Sequence, residues 1–496
     1  MQNSEPRFYR AEQVRALDRA AIERMPISGF DLMQRAAAAA WRLARRQWPR
    51  AQSVRVYCGA GNNGGDGYLF AHLAREAGWQ VELLAPCGAA HGGDAQRASA
   101  VWAGPVIADG AMRTDAVPDL VVDGLLGTGL NRPVSTEVAA AIGDIAGARD
   151  AGAGVLALDI PSGVNADTGA PMGAAVVADH TISFVARKLG LYTGTGPDYG
   201  GQRWFDDLGV PLDIAPEIVE AASGLGATLI AGELRSRRAS AHKGNSGRVL
   251  VIGGAPGMAG AALLACRAAL RGGAGLVHLA THPDHAASCA GAQPEIMIQA
   301  VSEAGELRPL LAIADAVVIG PGMGQAAWGR SMWSACLESQ LPTVVDADAL
   351  NLLAVEPLAK PNWVLTPHPG EAARLLAAST RQVQADRVTA SRKLVEQYGG
   401  VAVLKGAGTI VCGESIALCP HGNAGMAVGG MGDVLAGLIG AILAQGLRPE
   451  RAAGVGVAAH ALAADRHPHA GRRGLLPLDV IEQLPEVLAA PLETMR

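Results

Sequence analysis

Apolar positions in the first fifty residues recur at helical spacing. Val14, Leu17, Ala21 and Ile22 form one stripe along Ala11–Met25, and Asp31–Trp48 is an alanine-rich run with arginines on its outer face. Both stretches are expected to be helices with one buried side. From Ser53 the pattern changes. Short apolar runs at Ser53–Cys58, Gln80–Leu84, Asp119–Asp123 and Gly154–Asp159 alternate with helical stretches such as Gly67–Ala77. Continuous apolar strands separated by helices predict a parallel sheet covered on both faces. The stretch Pro211–Arg238 breaks this alternation with Pro211, Pro216, Gly224 and the charged GELRSRR, and is expected to be a linker. Alternation then resumes at Arg248–Gly253, Gly275–Leu279, Ala316–Ile319, Thr343–Asp346, Trp363–Thr366 and Val401–Lys405. The pattern therefore predicts an α/β chain of two tandem domains, residues 1–220 and 221–496.

Composition narrows the classes. A chain of 496 residues allows two to four domains of about 100–200 residues each. An apolar share of 49% argues against disorder as the main state. A net charge of −5 and 4% aromatic residues give neither the basic surface nor the stacking platforms of a nucleic-acid binder. The 64 glycines have no three-residue period, so they mark turns and close ligand approach rather than a collagen-like chain. The seven cysteines are scattered without a C-x-x-C, as expected of buried thiols in a reducing compartment. The start, MQNSEPRFYR, lacks the apolar core of a signal peptide, and the uncharged run Val434–Leu447 is too short to span a bilayer. A cytoplasmic enzyme acting on small molecules, with no nucleic-acid or membrane partner, is the expectation.

The densest signal in the first domain is CGAGNNGGDG, Cys58–Gly67, between a strand and a helix. In an open α/β sheet that edge binds ligands. Gly59, Gly61 and Gly64 satisfy G-x-G-x-x-G, with Glu82 further on, so a dinucleotide-binding fingerprint is one reading. Against it, Asp66 at the helix start would repel a pyrophosphate. Two further loops converge on the same edge: Asp123 runs into GLLGTGL, and Asp159 into IPSGVN. Strand spacing brings Asn63, Asp123 and Ser162 together, an oxygen-rich set that suits a monovalent cation better than zinc. Asp159 remains as an acid/base group.

NNGGDG, VDGLLGTG and DIPSGVNADTG together closely resemble the NAD(P)H-hydrate epimerase family, over roughly residues 10–215. The resemblance implies a Rossmann-like three-layer fold and interconversion of the R and S epimers of a hydrated nicotinamide cofactor. It implies a potassium site on Asn63, Asp123 and Ser162. It places substrate on Asn62, Asn63, Gly64, Gly65 and Asp66, on Gly127, Thr128, Gly129, Leu130, Asn131, Arg132 and Pro133, and on Asp159.

The second domain lacks G-x-x-x-x-G-K-[ST], so P-loop chemistry is excluded. It has another phosphate device. Gly429-Gly-Met-Gly-Asp433 precedes the apolar run, and successive glycines let backbone N–H groups converge on an anion at a helix start. Asp433 beside them can take the proton of a hydroxyl attacking phosphorus. Loops at Gly320–Gly324, Asp346–Asn351, Thr366–Glu371 and Lys405–Thr409 follow strands and are expected to line the same site.

HKGNSG, GAPGMAGAA, TPHPGE and GNAGMAVGGMGD resemble the ADP/ATP-dependent (S)-NAD(P)H-hydrate dehydratases of the ribokinase-like superfamily, over roughly residues 228–494; Ala424 and Val428 depart from the usual run. The resemblance implies a ribokinase-like three-layer fold. It places the nucleotide, ADP or ATP, on Lys405, Gly406, Ala407, Gly408, Thr409 and Gly432, and the hydrate on Ala261, Gly322, His368 and Asp433. Mg²⁺ is expected from phosphoryl transfer, with no motif for its ligands. The joint reading is a bifunctional repair enzyme, expected to be a homo-oligomer. The alternative is a ribokinase-type small-molecule kinase carrying a non-catalytic cofactor-binding module.

Overall fold

The computed structural model describes residues 5–88, 90, 92–107 and 116–489. The chain forms two compact units, Arg7–Ala222 and Ser223–Arg496 with Met1–Pro6. In the first unit the elements run β1 (Arg7–Tyr9), α1 (Ala11–Arg24), α2 (Gly29–Gln47), β2 (Ser53–Cys58), α3 (Asn62–Glu76), β3 (Gln80–Leu84), α4 (Gly93–Val101), β4 (Val106–Ile107), β5 (Leu120–Gly124) and α5 (Thr136–Asp150). They continue with β6 (Gly154–Leu158), β7 (His180–Phe184), β8 (Arg187–Lys188), α6 (Gly196–Gly200) and β9 (Gln202–Asp206). Seven strands form one sheet in the order β4-β3-β2-β5-β6-β7-β9, every pairing parallel.

The sheet is covered on both faces. Val54, Val56, Val122, Leu156 and Leu158 pack with α1, α2 and α3 on one side. Tyr57, Val121, Val155 and Ala157 pack with α5 on the other. The period-2 alternation explains why adjacent residues of one strand join different cores. Helix α2 starts where Ser28 accepts the Asp31 N–H at 3.1 Å and Asp31 takes the Ser28 N–H at 2.7 Å, a reciprocal cap. In α1 the buried stripe is Val14, Leu17, Ala20 and Ala21; Ile22, expected on it, is 42% exposed because it borders a cavity of this unit rather than the core.

The second unit runs β10 (Ala222–Gly224), α7 (Ala227–Glu233), β11 (Arg248–Ile252), α8 (Ala259–Arg271), β12 (Leu276–Thr281), α9 (Pro283–Ala292), β13 (Met297–Ala300), α10 (Ala304–Ile313), β14 (Ala316–Ile319), α11 (Ala327–Leu337) and β15 (Thr343–Val345). It continues α12 (Ala347–Val355), β16 (Trp363–Leu365), α13 (Pro369–Leu375), α14 (Thr380–Ala385), α15 (Arg387–Tyr398), β17 (Val401–Leu404), β18 (Thr409–Cys412), β19 (Ile416–Cys419), α16 (Met431–Ala444), α17 (Pro449–Arg466) and α18 (Pro477–Ala489). Its strands lie in the order β13-β12-β11-β14-β15-β16-β17-β18-β19-β10. All pairings are parallel except β17–β18 and β18–β19, which are antiparallel.

Helix α16 is buried from Val434 to Ala444 because it sits between the sheet and its neighbouring helices α8 and α17. A Cβ on Gly437 would lie 1.9 Å from the Ala265 carbonyl oxygen, so the α8–α16 approach requires glycine there. The expected linker is largely structured instead. β10 pairs Ser223 and Gly224 with Ala417 and Leu418, and α7 buries Ile230, so apolar residues inside that proline-rich stretch draw it into the fold. No described helix is long and apolar enough to cross a membrane.

Candidate functional site

In the first unit the chemistry collects at the C-terminal ends of β2, β5 and β6. Helix α3 begins at Asn62, five residues before the helix expected from Gly67, so the Asn62–Asp66 loop is in fact the first turn of α3. Glycine allows this. A Cβ on Gly59 would lie 1.8 Å from the Leu125 carbonyl oxygen, and one on Gly64 would lie 1.8 Å from that of Gly59. The helix start is thus pressed onto the strand ends.

A cavity of about 580 Å³ opens there, within the range of small-molecule sites. Asn62, Asn63, Asp66, Gly127, Thr128, Gly129, Leu130, Asn131, Arg132 and Asp159 line it. Gly64 and Gly65 are buried in the same turn of α3, and Pro133 is outside the lining. Glu82, the acidic residue a dinucleotide fingerprint would need for a ribose, is paired with Arg55 at 2.7 Å.

Beneath the cavity, Asp123 is fully buried and accepts three hydrogen bonds: the Ser162 hydroxyl at 2.5 Å, the Ser162 N–H at 2.7 Å and the Leu125 N–H at 3.2 Å. Burial outweighs these bonds and pushes its carboxyl up to about 6. Asn63 donates through Nδ2 to the Leu126 carbonyl at 3.0 Å, while its Oδ1 is buried without a partner. An orphaned amide oxygen costs about 1–3 kcal/mol and calls for a partner. Asn63 and Ser162 both bond the Leu126 backbone, and Ser162 bonds Asp123, so the three residues are linked in one network. A lone amide acceptor in such an oxygen-rich set fits a cation of oxygen preference and suits potassium.

The cavity wall carries groups that sequence reasoning missed. Lys188 is buried, donates to Asp159 Oδ1, and donates to the Phe184 carbonyl at 2.6 Å. Asp159 and Val185 both adopt left-handed backbone, φ 64° and 62°, which costs about 1–3 kcal/mol each and persists where the surroundings enforce it. Asp18, from α1, also lines the cavity; burial raises its carboxyl to about 6, Lys188 opposing and Asp159 adding to the rise. Burial likewise holds Asp66 well above the carboxylate range, with Asp159 and Asp18 adding to it. Three carboxyl groups and one ammonium thus share one wall. No motif marks Lys188 or Asp18; they come from an edge strand and an N-terminal helix.

In the second unit the strand-end loops assemble around Lys405. Its ammonium lies 2.9 Å from Asp346 Oδ1 and 3.8 Å from Glu371 Oε2. Burial would lower this lysine, but the two carboxylates outweigh it and raise it. Thr366 donates to Asp346 at 2.8 Å. His368 caps α13: its Nδ1 accepts the Gly370 N–H at 3.0 Å, and its backbone N–H donates to Glu371 at 2.8 Å. Burial lowers the His368 imidazole, Glu371 working against it.

Helix α16 starts at Met431, after Gly430 in the left-handed region at φ 94°, so Asp433 stands in its first turn. Burial raises Asp433 to about 7, with Asp346 adding to the rise and Lys405 opposing it. A Cβ on Gly432 would lie 3.0 Å from Lys405 Nζ, so Lys405 and the glycine-rich helix start adjoin. Ala261 and Gly322 also adjoin: a Cβ on Gly322 would lie 3.2 Å from that of Ala261. In the Lys405–Thr409 turn, Gly406 has φ 126°, Ala407 is exposed, Gly408 is buried, and Thr409 donates to the Gly406 carbonyl at 3.0 Å. Buried Arg387 holds this turn from behind, donating to the carbonyls of Leu404 at 3.0 Å and Lys405 at 3.1 Å. Sequence reasoning missed Arg387 as well, since its position eighteen residues upstream carries no pattern.

Relatives match both units. The sequence model of the NAD(P)H-hydrate dehydratase family matches residues 249–486, and that of the YjeF-related protein N-terminus matches residues 29–190. A bifunctional NAD(P)H-hydrate repair enzyme of Coxiella burnetii is 45% identical over 98% of this chain and 99% of its own. One from Escherichia coli is 42% identical over 96% of this chain and 93% of its own. The chain belongs to the bifunctional NAD(P)H-hydrate repair enzymes. Among solved structures, a ribokinase-like superfamily protein from Enterococcus faecalis is similar, at 26% identity and TM-score 0.51, over 54% of this chain and 95% of its own. A hypothetical protein from Streptococcus mutans is similar at 28% and 0.51 over 54% of this chain and 99% of its own. Membership over nearly the full length sets aside the alternative of a small-molecule kinase with an accessory module.

Proposed function

We propose that the chain repairs hydrated NADH and NADPH in two steps, residues 1–220 acting as the epimerase and residues 221–496 as the dehydratase. The observation that carries this reading is the presence in one family member of two separate carboxyl-bearing sites. One is built around Asp159 and Lys188, the other around Asp433 and Lys405.

In the first unit the hydrate binds in the cavity, its amide and hydroxyl groups facing Asn62, Asn63, Thr128 and Asn131. Epimerisation requires the hydroxyl-bearing ring carbon to lose and regain oxygen on opposite faces. Asp159 moves the proton at that oxygen, and the Lys188 ammonium fixes its orientation. Asn63, Asp123 and Ser162 would hold K⁺. Bound there, the ion supplies fixed positive charge against the Asp123 carboxylate and a partner for Asn63 Oδ1.

In the second unit the S-hydrate meets Ala261, Gly322, His368 and Asp433, and ADP or ATP lies along Lys405–Thr409 and Gly432. Asp433 takes the ring-hydroxyl proton, and that oxygen attacks the terminal phosphoryl group. The backbone N–H groups ahead of α16 and the Lys405 ammonium offset the charge that develops. The phosphorylated oxygen leaves as phosphate, driven by the ring nitrogen's electron pair. Loss of a proton from the adjacent carbon restores the reduced nicotinamide. Asp346 is engaged by Lys405 and Asp348 by the Gly324 N–H, while Asp433 is kept for the proton, so Mg²⁺ would be held chiefly by nucleotide phosphates. The enzyme is cytoplasmic and homo-oligomeric in this reading.

The test separates the halves. Asp159→Asn should abolish epimerisation and spare dehydration of pure S-hydrate, while Asp433→Ala should do the reverse. Normal epimerisation by folded Asp159→Asn would remove its assigned role.

A further inference from the structure

The segment joining α17 to α18 carries ligand chemistry that neither reaction uses. His467 follows α17 directly, in extended backbone, and His469 lies two residues on with Pro468 between. The His467 carbonyl accepts the Ala470 N–H at 2.9 Å, closing a turn with Pro468 at its second position, and the two imidazole rings meet edge to face with centroids 5.1 Å apart. Asp479 stands in the first turn of α18. A ring nitrogen from each histidine and a carboxylate oxygen of Asp479 all lie within 4.8 Å of one another.

We propose that His467, His469 and Asp479 form a binding site for a divalent transition-metal ion of the zinc class. Two imidazoles and a carboxylate are a zinc donor set, and three protein ligands leave a fourth position for water. Magnesium and calcium favour oxygen donors and do not suit it. Bonds of about 2.0–2.2 Å bring the donors closer together than they now lie, which needs only small rotations of side chains near the surface. The His467 Nδ1 accepts the His469 N–H at 3.2 Å, a long contact that an ion at that nitrogen replaces. Asp479 Oδ2 takes the Leu476 N–H at 2.8 Å, which orients the carboxylate.

The ion would tie together two ends that already grip the glycine loop before Asp433. Asn423 Oδ1 accepts the Gly471 N–H at 2.7 Å, and its Nδ2 donates to Asp465 at 2.8 Å. A Cβ on Gly430 would lie 3.0 Å from Pro477 Cγ. Occupancy therefore stiffens the 422–430 segment as well as the histidine loop. The assignment does not depend on which reaction the unit performs.

The full chain, stripped of metal, is titrated with Zn²⁺ by calorimetry and with Co²⁺ by absorption spectroscopy, alongside His469→Ala and Asp479→Asn. The expected result is one tight equivalent, a low-coordinate cobalt spectrum without thiolate charge transfer, and a melting temperature that rises with the ion. Both variants should bind at least tenfold more weakly yet melt like the parent without metal. Absence of that equivalent, a thiolate band, or undiminished binding in both variants would overturn the proposal.

Discussion

Asp433 must be ionised to take a proton, so its surroundings set the acid limb of dehydration. Burial raises it to about 7; Asp346, Glu371 and Asp348 add to the rise, and Lys405 opposes it. A raised carboxyl is protonated below that value, so activity is lost as pH falls through it and is full above it. With one titrating group, about half the enzyme is active at pH 7 and about a tenth at pH 6. Asp348 takes the Gly324 N–H at 2.8 Å and acts on Asp433 only through its charge, so Asp348→Asn moves the limb to lower pH. Asp433→Asn removes the limb together with about 10²–10⁴-fold of the rate. The assay is the initial rate of reduced-cofactor recovery from S-hydrate between pH 5.5 and 8.5 at saturating nucleotide. A rate independent of pH across that range, or a limb that survives Asp433→Asn, would refute the reasoning.

Three further outcomes follow from the contacts. Lys188→Met leaves Asp159 without its buried cation and should cut epimerisation at least tenfold while dehydration of S-hydrate stays at the parental rate; the unit should lose about 3–5 kcal/mol in denaturant titration, the scale of a broken buried pair. Asn63→Ala removes the unpartnered oxygen, so epimerisation measured in K⁺ against a large organic cation should lose its potassium dependence. Arg387→Met frees the carbonyls of Leu404 and Lys405 and should raise the nucleotide KM at least tenfold with a smaller change in kcat.

Much of the fold was readable because parallel strands buried on both faces are short apolar runs, and those at Ser53–Cys58 and Val401–Leu404 stand clear of their surroundings. The strands at His180–Phe184 and Gln202–Asp206 were not, since histidine, threonine, arginine and aspartate interrupt their apolar pattern. The proline-rich stretch after Pro211 read as a linker because turn residues dominate it, while strand pairing at Ser223–Gly224 is a tertiary choice no local pattern records. The glycine loops were visible as motifs, yet their helical state was not: Asn62 and Met431 open helices that local propensity places several residues later. Lys188, Asp18 and Arg387 escaped because their importance lies in what they reach across the fold.

The central claim is that one chain both epimerises and dehydrates. The most direct measurement gives the full chain a defined mixture of R- and S-hydrate with ADP, then ATP, and follows both epimers and the reduced cofactor together. The account predicts complete recovery of cofactor from both epimers with release of phosphate; with Asp159→Asn, recovery should stop once the S form is consumed, apart from slow spontaneous exchange. A stable phosphorylated product, or R-hydrate persisting in the parent enzyme, would contradict it.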